Sequence, residues 1–137
     1  LARDYADGGL GIVAISSNDA DTYPDDAPYG LRAQATQHGF TFPDLEYQTQ
    51  EGARAFHAAC TPDFFLFDAE KKLVYRGQLD GSRPGNGIAV DGRDLRTAIG
   101  NLLAGQSISA EQVPSVGCGI KWKVRFSAEK QNAQDEN

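Results

Sequence analysis

The chain has 137 residues, 40% of them apolar, which is enough for one domain with a real core and too little for two. Its formal charge of −6, with no Lys/Arg cluster larger than Lys121-Trp122-Lys123, argues against a nucleic-acid partner, because a phosphate polyanion needs a cationic face. No run approaches the roughly 18 continuous apolar residues of a membrane span, and no signal-peptide pattern opens the chain.

Leu1–Asp7 carries helix-compatible residues and runs into Gly8-Gly9, which predicts a helix tail ended by glycine. Leu10–Ser16 (LGIVAIS) is nearly all apolar and predicts a central parallel strand covered on both faces. A polar turn region follows, then a helix with Asp26 as cap, Pro28 in its first turn and Gly39 at its end. Phe40–Leu45 predicts a short extended piece near a sheet edge. Thr49 is the expected cap of a second helix that places Ala53, Phe56 and Cys60 on one face, weakened by about 1 kcal/mol at Gly52.

Asp63–Phe67 (DFFLF) predicts a buried strand. It forms a hairpin with the next segment, where Leu73, Tyr75, Gly77 and Leu79 alternate with outward Val74, Arg76 and Gln78. Leu95, Ala98, Ile99, Leu102 and Leu103 mark the clearest amphipathic helix, capped by Asp91 and stopped by Gly105. Residues 127–137 are too polar to offset their chain entropy, so a disordered tail is expected after a domain spanning 1–126. The order suits an α/β fold with a mixed sheet and helices on both faces.

Several stretches are distinctive: AISSND (14–19), Tyr23-Pro24, CTPDFFLFD (60–68), VYRGQL (74–79) with Ser82-Arg83-Pro84, and GCGIKWK (117–123). Together they resemble the peroxiredoxin-like group of the thioredoxin superfamily, related to alkyl hydroperoxide reductase and thiol-specific antioxidant proteins, from Leu1 to about Lys123. The resemblance implies a thioredoxin-like three-layer sandwich with a mixed central sheet. It also implies that the strand and the redox-cysteine loop preceding Leu1–Asp7 are missing. With Leu1 first and no methionine in the chain, an N-terminal truncation is the expectation.

The activity implied is thiol–disulfide exchange or peroxide reduction, cytoplasmic, without a cofactor, and with a protein disulfide or small peroxide as substrate. The alternative is a non-catalytic thioredoxin-fold interaction module presenting the loops around Pro62 and Arg83. A thioredoxin-type nucleophile is a thiolate at a helix N-terminus, and neither cysteine here holds that place, so the fragment is expected to be inactive. A strand lost from the sheet leaves an edge open, which predicts self-association, as a homodimer or an aggregate.

Thr61-Pro62 resembles the cis-proline loop that pairs with an extended substrate. Cys60, just before it, is either a redox thiol or a small buried hydrophobe. Cys118, between two glycines, is either a resolving thiol or an unpaired loop residue. Arg76 either steadies a thiolate or peroxide oxygen, as an arginine does in peroxiredoxins, or is a solvated strand residue. His57 would approach Cys60 by one helical turn, but two such residues make no metal site. The Asp19, Asp21, Asp25, Asp26 cluster lacks EF-hand spacing and reads as caps and turns.

Overall fold

The computed structural model describes residues 1–46 and 49–123, with the backbone only at Glu46. The polar stretch 127–137 lies outside the described residues. The chain falls into two compact units, one formed by Val13–His57 with the segment that starts at Ile120, the other by Leu1–Ile12 with Ala58–Gly119.

In the Val13–His57 unit, β1 (Ala14–Ser16) runs parallel to β2 (Asp44–Glu46), with Ala14 opposite Asp44 and Ser16 opposite Glu46. Parallel neighbours need a crossover, and it is supplied by a 3₁₀ turn (Pro24–Asp26) and helix α1 (Pro28–His38). The apolar run therefore yields three rungs of strand rather than seven, because β2 offers three partners, and Val13 is 53% exposed. Pro28 starts α1 as expected, whereas Asp26 does not cap it. Its carboxylate accepts Asn18 Nδ2–H at 3.2 Å instead. Gly39 ends the helix at φ 62°, a left-handed conformation open to glycine without strain, with its N–H turned back to Ala35 and Thr36.

Helix α2 (Glu51–Ala55) is one turn long. The expected face through Ala53, Phe56 and Cys60 is not formed: the helix stops at Ala55, His57 adopts φ 55°, and Cys60 belongs to a strand. A short helix containing Gly52 cannot repay its nucleation cost over further turns. The same stop removes the helical turn that would have carried His57 toward Cys60.

In the other unit, β3 (Cys60–Thr61) pairs antiparallel with β6 (Cys118–Gly119), and β4 (Phe64–Phe67) pairs antiparallel with β5 (Leu73–Gly77). Helix α3 (Arg93–Leu103) follows the hairpin. The structure is thus mixed α/β, with parallel and antiparallel pairs in three two-stranded sheets among the described residues. The core of this unit joins Leu66 and Tyr75 of the hairpin to Leu95, Ala98 and Ile99 of α3, with Tyr5, Leu10 and Phe64 packed against them. Each large apolar side chain buried this way contributes about 1.5–3 kcal/mol. Residues 1–9 form successive turns, with N–H groups bonded three residues back at Asp4, Ala6 and Gly8, where a helix tail was expected. Gly92, at φ 71°, caps α3 in place of the expected Asp91, which lies one residue earlier and accepts the Arg93 N–H at 3.0 Å.

The outer edge of β5 is closed by a neighbouring loop. Gln112 bonds Arg76 N–H through its amide oxygen at 2.9 Å and Val74 C=O through its amide nitrogen at 3.0 Å, so one side chain stands in for a strand. Val113 C=O accepts Gln78 N–H, and Ser115 Oγ–H bonds Gly77 C=O.

Candidate functional site

The site grows from the β3–β6 ribbon. Cys60 faces Gly119 across the ladder and Thr61 faces Cys118. Because successive strand residues point to opposite faces, the Cys60 side chain shares its face with a glycine, and Cys118 shares the other with Thr61. Both thiols are free, Cys60 half-buried and Cys118 exposed. The Thr61–Pro62 peptide bond is cis, as the resemblance implies. Gly117 lies so close to Thr61 that an added Cβ would overlap the Thr61 carbonyl, so the ribbon closes only around glycine. Thr61 Oγ–H reaches Cys118 C=O at 3.4 Å, and Cys60 Sγ–H points to Pro62 C=O at 3.6 Å.

Next to this thiol stands an ion pair. The Asp63 carboxylate, 7% exposed, lies 3.6 Å from the Arg76 guanidinium and also accepts Ala59 N–H at 3.3 Å. Arg76 lies over the Phe65 ring at 5.2 Å. Its place in the alternation predicted a solvated residue, yet its head group is held by a carboxylate and an aromatic face. Burial pushes the Cys60 thiol up, the Asp63 charge adds to that, and Arg76 works against both. Cys60 is therefore a protonated thiol at neutral pH, unlike the activated thiolate of a redox nucleophile.

A polar hub beyond β5 joins Arg83, expected at an interaction loop, to Gln78, Asp80 and Asp94, which sequence reasoning assigned no site role. Gln78, expected on the outward face, is 8% exposed and donates its amide to Asp94 at 2.6 Å. Asp80, 4% exposed, accepts the Ser82 hydroxyl, Ser82 N–H at 3.0 Å and Gly92 N–H at 2.7 Å. Those donors, the Ser82 hydroxyl first, hold its carboxyl down at about 2. Arg83 donates to Asp80 C=O, Ser82 C=O and Gln78 Oε1. The signal for the turn was legible as Asp-Gly-Ser, an Asx-turn pattern. The cavity beside it, about 160 Å³ and lined by Pro62, Phe64, Leu79, Arg83, Ser115 and Val116 among others, was not.

In the Val13–His57 unit, two of the distinctive stretches converge on Gln50, 1% exposed. Its amide nitrogen donates to Ser17 C=O at 2.7 Å and Lys121 C=O at 2.8 Å, and its oxygen accepts Lys123 N–H at 2.9 Å. Asn18 Oδ1 accepts Lys121 N–H, and Asp19 N–H bonds Lys121 C=O. Asp19 also closes a turn on Asp21 N–H and the Thr22 hydroxyl. Of the aspartate cluster, Asp19 serves a turn as expected, whereas Asp21 meets Lys123 Nζ at 3.5 Å and Asp26 accepts Asn18 in place of capping. Among the described residues no group of three or more His, Cys, Asp or Glu is placed to hold a metal ion, and no helix is long and apolar enough to cross a membrane.

These features define a mixed α/β protein with a glycine-flanked thiol ribbon turned by a proline. Two crystal structures are similar to this chain: a hypothetical protein from Sinorhizobium meliloti 1021 (TM-score 0.88, 50% identity over 90% of this chain and 67% of that one) and an uncharacterized conserved protein from Geobacillus kaustophilus (TM-score 0.88, 52% identity over 90% of this chain and 65% of that one). The chain belongs to the family of the Sinorhizobium protein, and it spans about two thirds of the length of each of the two relatives. No family model and no curated protein matches it.

Proposed function

We propose that this chain is the larger part of a thioredoxin-like, peroxiredoxin-related thiol–disulfide oxidoreductase, in which the Pro62 loop docks the partner and the attacking thiolate is supplied from outside this chain. The observation that carries the reading is the sequence of structure from Cys60 onward: a thiol-bearing strand, an exposed proline turn, an antiparallel hairpin and a helix packed on it, in one unit. The raised Cys60 thiol supports placing the nucleophile elsewhere. In the reaction the thiolate attacks one sulfur of the partner's disulfide, forming a mixed disulfide. The other sulfur leaves as a thiolate; a second thiol of the enzyme, as its thiolate, then attacks the mixed disulfide, so that an enzyme disulfide forms, the partner leaves as a dithiol, and an external dithiol restores the enzyme by the same exchange. A cytoplasmic location and a homodimer accompany this reading.

Disulfide-reduction and peroxide-consumption assays on the full-length protein and on this chain test it. The full-length protein is expected to turn over and the chain to show little activity. A full-length protein that does neither removes the reading. Robust turnover by the chain that is lost in Cys60→Ser would make Cys60 the nucleophile.

The raised Cys60 thiol also favours a second reading, a non-catalytic interaction module on the same scaffold. Mass spectrometry after mild oxidation separates the two, since thiols that stay unmodified in the native protein favour the module.

A further inference from the structure

Arg83 differs from the other paired arginines of its unit. Arg76, Arg93 and Arg96 each meet a carboxylate, those of Asp63, Asp91 and Asp4. Arg83 is half-buried, and among the described residues all its acceptors are neutral: two backbone carbonyls on Nη1, at 3.1 and 2.7 Å, and the Gln78 amide oxygen on Nη2 at 2.6 Å. Asp80 lines the same cavity as Arg83, but its carboxylate is taken up by the Ser82 hydroxyl, Ser82 N–H and Gly92 N–H and forms no ion pair with the guanidinium. Of the five guanidinium N–H groups, Nε–H and one on Nη2 remain, beside a cavity of about 160 Å³.

The hydroxyls lining that cavity are spent as donors, Ser115 on Gly77 C=O and Ser82 on Asp80. Two N–H groups match a planar carboxylate, whereas a phosphate dianion asks for more donors. The Pro62, Phe64, Leu79 and Val116 walls suit the short methylene stem of such a group.

We propose that this cavity is a docking pocket for the carboxylate of an acidic side chain carried by a partner polypeptide, with Arg83 as its anchor. The proposal deepens the docking role given above to the Pro62 loop, because Pro62 forms one wall of the pocket. An extended segment at that loop can place one side chain in the pocket.

The test is fluorescence anisotropy with the chain and three probes: a short extended peptide with one central glutamate, its glutamine twin, and N-acetylglutamate amide as competitor. The glutamate peptide is expected to bind about tenfold tighter than its twin, the usual worth of a charge-assisted contact. Arg83→Gln should abolish that difference. Val116→Glu, at a 66% exposed wall position, places a tethered carboxylate at the pocket and should weaken only the glutamate peptide. Equal binding of the twins overturns the proposal, as does a preference that survives Arg83→Gln. Competition by the amino-acid amide at the peptide's own affinity overturns the assignment to a polypeptide. Should Arg83→Gln unfold the Asp80–Ser82 turn, an unchanged preference in Val116→Glu overturns it alone. Anisotropy reads no turnover, so failure here leaves the exchange reaction standing, and an inactive full-length protein leaves acidic docking standing.

Discussion

Cys60 and Cys118 occupy adjacent rungs of one two-stranded ribbon and point to opposite faces of it. A disulfide needs Cβ vectors that converge, so this register keeps the two sulfurs apart although their backbones are neighbours. Oxidation with glutathione disulfide is expected to give single mixed disulfides, at exposed Cys118 before half-buried Cys60. Intact mass under non-reducing conditions checks this. A two-hydrogen loss mapped to Cys60–Cys118 would show that the ribbon slips register.

Burial raises the Cys60 thiol first, and the Asp63–Arg76 pair adjusts its reactivity further. Asp63→Asn removes a charge that opposes thiolate formation and should speed alkylation of Cys60 near pH 8 by about two- to fivefold, the effect of one partly screened charge. Arg76→Gln should slow it by a similar factor. Iodoacetamide labelling followed by peptide mass spectrometry reads both, with Cys118 as the internal reference.

Gly117→Ala drives a methyl group into the Thr61 carbonyl, where backbone and not a flexible side chain must give way. A loss of about 1–3 kcal/mol in urea unfolding is expected, the range for an overpacked site. Faster amide exchange at Gly119 and Thr61 would locate the damage in the ribbon. Gly119→Ala, with no atom within 4 Å of its added Cβ, is the matched control and should cost little.

Gln50→Leu keeps the bulk of the side chain and removes the partner of Ser17 C=O, Lys121 C=O and Lys123 N–H. Lys121 C=O keeps its bond from Asp19 N–H, but Ser17 C=O and Lys123 N–H lose their partner at a buried position, which should cost about 2–4 kcal/mol, with an unchanged denaturant slope if the fold persists. Asn18→Ala, which removes one bond from Lys121 N–H and one to the part-exposed Asp26 carboxylate, should cost less than that.

Stability should fall at both ends of the pH scale for separate reasons. Asp80 titrates at about 2 in the fold against 3.8 ordinarily, so its contribution is complete above the higher value and is lost as pH falls through the lower one. Tyr75, whose phenol donates to Gln78 C=O, is pushed from 10.0 up to about 12, chiefly by burial. The unfolded chain ionises first there, so stability declines as pH rises from 10 to about 12. Thermal melts across both ranges check this: Asp80→Asn should flatten the acid limb and Tyr75→Phe the alkaline one.

Local signals were legible where residues act within a few positions of one another. Pro28 and Gly39 bound α1, the Asp68–Lys72 link closes an antiparallel hairpin, and the Leu95-Ala98-Ile99 stripe faces the core. Pairing over distance was less so: Leu10–Ser16 looked like a full central strand, but strand length depends on a partner, and β2 provides three residues. For the site, Cys60, Pro62 and Arg76 could be singled out by type and context. Asp63, Gln112 and Gln50 act on groups elsewhere in the fold, and nothing in their own neighbourhoods announces it.

Hydrophobic period and turn chemistry, read from the amino acids alone, determined an α/β chain, its hairpin and its main helix, because those preferences are local and already present in short segments. Tertiary structure decided that the two thiols face apart, that burial and then a neighbouring carboxylate raise one of them, and that Arg83 borders a cavity without an anionic partner among the described residues. Those properties arise from distances between groups far apart in the chain, and such distances exist only once it has folded.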